Sequence, residues 1–111
     1  SIIREMLEEE VSVEMEPLRK LIATLVEDYE AAVNKVKENE NQDVQDFLAR
    51  RLYDMTTEII MSLLIIADAS KAPELFAKSA HVFVKMTEEN VIGKVAYINN
   101  FDVSDLPNFE Q

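Results

Sequence analysis

Ile59-Ile60-Met61-Ser62-Leu63-Leu64-Ile65-Ile66-Ala67 is the stretch whose reading decides the fold. Its nine residues are apolar except for Ser62, so a buried strand and a buried helix both fit it locally. The residues leading into it settle the matter. Val44, Phe47, Leu48, Leu52, Met55, Ile59, Leu63 and Ile66 recur at spacings of three and four, the period of one helical face. The run therefore reads as the second half of a long helix that starts near Asp43, a residue suited to capping. From Ile59 onward nearly every side of that helix is apolar, so it is buried all round or covered by another chain. Ile60, Met61, Leu64 and Ile65 lie off the main seam and are the residues expected to form an interface. A membrane span needs ~20 apolar residues, about twice this run.

The flanking segments are helical too. Leu18, Leu21, Ile22, Leu25, Val26, Tyr29, Val33 and Val36 mark a helix from about Pro17 to Glu38. Pro17 suits a first turn, and Glu14 and Glu16 favour its positive end. The polar stretch Asn39-Glu40-Asn41-Gln42 stops it. Residues 2–16 form a weaker amphipathic stretch that fits Ile3, Met6, Leu7 and Val11 but not Val13 and Met15. It is either a short separate helix or the first half of a kinked one broken before Pro17. Asp68 to Ala72 read as a turn, after which Pro73 opens a helix running to about Asn99, capped by Ser70 or Ala72. Leu75, Phe76, Ser79, Ala80, Phe83, Met86, Val91, Val95 and Ile98 form its expected seam. Gly93 inside it costs roughly 1 kcal/mol against Ala, and Thr87 to Asn90 is the expected weak point.

The expected fold class is all-α. It is an antiparallel bundle of three long helices plus a shorter N-terminal helix, with connections of about four to five residues. Residues 1–111 read as one helical domain with an irregular tail over 100–111. The chain begins with Ser1 while Ile2, Ile3, Met6 and Leu7 already stand at helical spacing, which suggests a C-terminal piece of a longer protein.

Composition narrows the chemistry. Asp and Glu total 22 against 11 Lys and Arg, a net charge of −11, which repels nucleic-acid phosphates and anionic lipid surfaces. Arg50 and Arg51 are flanked at helical spacing by Asp46 and Asp54 and read as solvated ion pairs. The chain has no Cys, one Gly and one His. Disulfides, thiolate zinc sites, thiol nucleophiles and glycine-rich phosphate loops are thereby excluded. The lack of Cys and of a basic, apolar leader fits a reducing, cytoplasmic setting.

No candidate site outweighs its plainer reading. A di-metal helix bundle needs inward Glu-x-x-His pairs, and the residue three before His81 is Lys78. The Glu8-Glu9-Glu10, Glu27-Asp28 and Glu88-Glu89 groups read as solvated faces. His81, between Ala80 and Val82, reads as a packed or boundary residue without the partner a general base needs. Ser62 and Ser79 lie inside helices, far from any nucleophile elbow. Asp68 reads as a surface residue ending its helix, the five Met residues as core filler, and Phe76 with Phe83 as core. The expected catalytic, cofactor-binding and metal residues are none.

Two stretches together resemble a known family. One is Asp54 to Ala69 (DMTTEIIMSLLIIADA); the other is Phe76 to Met86 (FAKSAHVFVKM), followed by Lys94 to Phe101 (KVAYINNF). They are similar to the C-terminal helical extension of some bacterial acyl-CoA dehydrogenase-like flavoproteins. The likeness covers the second half of the chain by residues and the first half by helical pattern. It implies a parent enzyme with bound FAD. Such an enzyme takes an α proton from an acyl-CoA thioester with a carboxylate and passes the β hydride to flavin. The base, flavin site and acyl channel would belong to the catalytic core, so no catalytic residue carries over. The resemblance implies an accessory domain that packs on its own core or on a second subunit of a homo-oligomer, and that meets acyl-CoA only through the parent. The residues alone leave two rivals: a stand-alone acidic module that binds a basic partner or an amphipathic helix, and a small-ligand or metal-binding bundle.

Overall fold

The computed structural model describes residues 1–107, so the last four residues of the expected tail lie outside the described chain. Helix α1 spans Ile2–Leu7, α2 Glu16–Lys37, α3 Gln42–Lys71 and α4 Pro73–Asn99, with a 3-10 turn at Val103–Asp105. There is no strand among the described residues, and the fold is the expected all-α bundle.

Helix α2 begins one residue before Pro17 and ends with Lys35 and Lys37 in the last turn, where the helix dipole favours cations. The cap of α3 is Asn41 rather than the expected Asp43. Its side-chain oxygen accepts from the backbone N–H groups of Asp43, at 2.9 Å, and Val44, at 3.4 Å. That satisfies two of the helix's orphan donors. Helix α3 then runs through Asp68 to Lys71, where a turn was expected. Ala69 is fully buried, and the Ser70 hydroxyl bonds back to the Ile66 carbonyl at 2.9 Å, so residues that favour turns by composition are held helical. Ala72 alone makes the turn, with φ −139° and ψ 70°. Pro73 forces that break, because proline restricts the residue before it to extended backbone and has no N–H to continue a helix. Ala72 is the N-cap residue of α4, one of the two expected positions, with no side-chain hydrogen bond, and Ser70 lies inside α3. Helix α4 has the expected bounds and runs unbroken through Thr87 to Asn90.

The register of α3 against α4 is set by four contacts. Phe47 meets Phe101, Arg51 lies over Tyr97, Glu58 accepts from Asn90, and Ser62 donates to Thr87 at 3.0 Å. One series rises as the other falls, so the helices are antiparallel. Helix α2 packs in the groove of that hairpin. Tyr29 and Thr56 share a hydrogen bond, and Lys35 Nζ reaches the Asn99 carbonyl at 2.9 Å. The core is the row of Ile22, Val26, Met55, Ile59, Ile66, Val84, Val91 and Ile98, each under 3% exposed.

Residues 8–15 resolve the ambiguity at the N-terminus. Helix α1 is separate and ends at Leu7. The chain then crosses to the far end of the hairpin, where the Ser12 N–H donates to the Ser70 hydroxyl at 3.0 Å. Met15, which fits no helical face in the sequence, is fully buried there. Arg4 closes α1 on α2 through paired hydrogen bonds to Glu30, the Nε bond at 3.1 Å.

The molecule is a slab of 54 × 24 × 17 Å. Its radius of gyration is 16.1 Å, against about 13 Å for a compact chain of this length.

Candidate functional site

An uncovered apolar surface lies on the part of the α3–α4 hairpin nearest its turn. Met61 and Leu64 on α3 are 50% and 52% exposed. Ile60 and Ile65 are half-buried and pack on the core. Of the four expected interface residues, two thus stand open and two line the boundary. Helix α4 supplies the other half of the face with Leu75 at 70%, Val82 at 71% and Met86 at 43% exposure. Ile65, Val82, Phe83 and Met86, with Lys78 and Ser79, line an open groove between the two helices.

The composition of this face differs from the expected seam of α4. Leu75, Ser79 and Met86 were placed in the seam and are exposed, while Phe76 and Phe83 are only half-buried. The buried row is Ala80, Val84, Thr87, Val91 and Ile98. The Ser62–Thr87 hydrogen bond goes with this register: a buried hydroxyl needs a partner, and with Thr87 inward its neighbour Met86 faces outward. The uncovered residues Leu75 and Val82 were missed because α4 carries apolar residues on more than one side. Spacing alone does not say which of two apolar stripes meets the core.

The other candidates take these places. His81 is exposed and not packed. Asp68 is exposed, as read, and so are Glu8, Glu9, Glu10, Glu27, Asp28 and Glu89. Ser62 is fully buried and Ser79 is on the surface. Among the described residues no group of three His, Cys, Asp or Glu side chains could hold a metal ion. Glu58 is drawn into the α3–α4 contact; one oxygen accepts from Asn90 and the other is buried without a partner. Elsewhere, a hydrogen bond from Arg4 holds the Glu30 carboxyl below the usual range, and one from Arg19 does the same for Glu16. Both pairs lie on α1 and α2, away from the apolar face.

The glycine-rich turn of a Rossmann-type dinucleotide site is not present, since the chain's single glycine lies inside α4. The open groove on the hairpin is lined by apolar side chains around Lys78 and Ser79. No described helix is long and apolar enough to cross a membrane.

Fold and face together define an antiparallel helical bundle with one broad apolar surface left uncovered. Its sequence matches the family described as acyl-CoA dehydrogenase C terminal over residues 1–106, and the chain belongs to that family. The crystal structure of an acyl-CoA dehydrogenase family protein from Porphyromonas gingivalis is similar, with a TM-score of 0.82 and 28% sequence identity. The match takes in 91% of this chain and 86% of that one. No curated protein matches the chain significantly.

Proposed function

We propose that this chain is the accessory C-terminal helical domain of an FAD-dependent acyl-CoA dehydrogenase-like enzyme, working in the cytoplasm and non-catalytic by itself. It seats its α3–α4 face on the catalytic core of that enzyme and so stabilises a homo-oligomeric assembly. Flavin and acyl-CoA are bound by the catalytic core. Family membership supports the parent enzyme. The observation that carries the packing role is the group of Met61, Leu64, Leu75, Val82 and Met86 standing open on the α3–α4 hairpin. Contiguous apolar patches of this kind mark interaction surfaces, and sealing each half-exposed side chain contributes about 1 kcal/mol.

The test titrates the 111-residue chain into the catalytic core supplied as a separate polypeptide, followed by sedimentation velocity. Leu64→Glu and Val82→Glu each place a charge on the face without touching the core. Both are expected to weaken association at least tenfold and leave the melting temperature of the chain unchanged. Association as tight as that of the parent chain in both variants would remove the packing role.

A further inference from the structure

A second surface lies toward the other end of the hairpin, and its chemistry is opposite to that of the rest of the molecule. Arg50, Arg51, Asp54, Gly93, Lys94 and Tyr97 line an open cleft between α3 and α4. Three of the chain's 11 cationic side chains meet here with one acid, whereas acids outnumber cations 22 to 11 over the whole sequence. At physiological salt the Debye length is about 8 Å, so what approaches this cleft meets its three cations together with Asp54 in the wall and Asp46 and Glu89 one turn away, and acids elsewhere in the chain count for less.

Two details mark the cleft as more than a chance cluster. The Arg51 guanidinium is clamped between two rings, 3.9 Å from the Tyr97 centroid and 5.4 Å from that of Phe47. Phe101 packs on both rings, at 5.6 Å from Phe47 and 5.9 Å from Tyr97. Arg51 has no carboxylate partner among the described residues, so its face is held by the rings and its edge donors stay available. Arg50 has only a loose contact with Asp54, at 3.8 Å. The second detail is Gly93. Glycine is costlier inside a helix than any residue but proline. Yet Gly93 has no positive φ, and a Cβ there would meet nothing within 4 Å. Nothing inside the molecule requires a glycine at that position. Its smallness leaves the helix flank bare between Arg50, Lys94 and Tyr97.

We propose that this cleft docks a carboxylate-rich segment of a partner polypeptide, whose chain passes over Gly93 while its acidic side chains pair with Arg50, Arg51 and Lys94. A segment with several carboxylates suits the site better than a single phosphate. The backbone N–H groups along the flank of α4 are used in its own ladder, so no nest of donors converges on one anion. The cations are instead separate side chains beside an open trough. The cleft is distinct from the apolar face near the α3–α4 turn, so this docking and the proposed seating on a catalytic core fail separately.

Fluorescence anisotropy of the 111-residue chain with labelled hexaglutamate tests this, with hexaglutamine as control. Hexaglutamate is expected to bind and hexaglutamine is not, with affinity falling as salt rises. Lys94→Glu and Arg50→Glu are expected to weaken binding at least tenfold. Gly93→Gln separates docking from folding: it is expected to raise the melting temperature, because glutamine favours helix, while weakening hexaglutamate at least fivefold. The proposal is overturned if Gly93→Gln and Lys94→Glu bind like the parent chain. It is equally overturned if hexaglutamate binds no better than hexaglutamine, or if the chain takes up inorganic phosphate and ignores the peptide.

Discussion

Met15→Ala is expected to destabilise the chain by about 2–5 kcal/mol, the range for truncating a fully buried large side chain. That is a large part of the ~5–15 kcal/mol that holds a typical domain together. Met15 precedes the first turn of α2 and belongs to no helix, yet it is 0% exposed. Its backbone N–H bonds to the Ser12 carbonyl at 3.0 Å, and Ser12 is itself tied to Ser70 on α3. The side chain is thus pinned from its own loop and leaves a cavity when shortened. Val13, two residues earlier, is 93% exposed, and Val13→Ala is expected to change stability by less than about 0.5 kcal/mol. Urea denaturation of both variants checks the contrast. Equal midpoints for the two would mean that residues 8–15 do not seal the end of the hairpin.

That loop also shows where sequence reading reaches its limit. Helices α2 and α4 were legible almost to the residue. Pro17 and Pro73 mark their first turns, and the three-four spacing of Leu18 to Val36 needs only local information. Met15 was not legible, because its loop is tied to α3 through Ser12 and Ser70, 58 positions apart, and periodicity within the loop carries no trace of that. The turn at Ala72 was read too long for a related reason. Asp68 and Ser70 favour turns by composition, while the buried Ala69 and the hydrogen bond from Ser70 to Ile66 keep them helical. For the candidate face, Met61 and Leu64 stood out as apolar residues off the seam, and both are exposed. Their companions Leu75 and Val82 did not stand out, since α4 has two apolar stripes and the stripe that carries Thr87 is the buried one.

That pair gives the second large effect. Ser62 and Thr87 are both 0% exposed and bond to each other at 3.0 Å across the α3–α4 contact. Thr87→Val keeps the shape of the side chain and removes the acceptor. It is expected to cost about 1–3 kcal/mol, because the Ser62 hydroxyl stays buried without its partner. Ser62→Ala alone is expected to cost a similar amount. The double variant Ser62→Ala with Thr87→Val removes both polar groups together and is expected to be nearly as stable as the parent chain. A thermodynamic cycle over the four proteins reads the coupling directly. Additive losses would show that the two hydroxyls act independently.

The central claim is that the α3–α4 face is covered when the domain works, and its methionines report on this without substitution. Met61 and Met86 lie on the face and are 50% and 43% exposed, while Met15 and Met55 are fully buried and serve as internal references. Mild peroxide oxidation followed by mass spectrometry measures each in turn. In the chain alone, Met61 and Met86 are expected to oxidise readily, with Met15 and Met55 protected. Bound to the acyl-CoA dehydrogenase-like catalytic core, Met61 and Met86 are expected to become as protected as the buried pair. Unchanged oxidation of Met61 and Met86 in that complex would contradict the account.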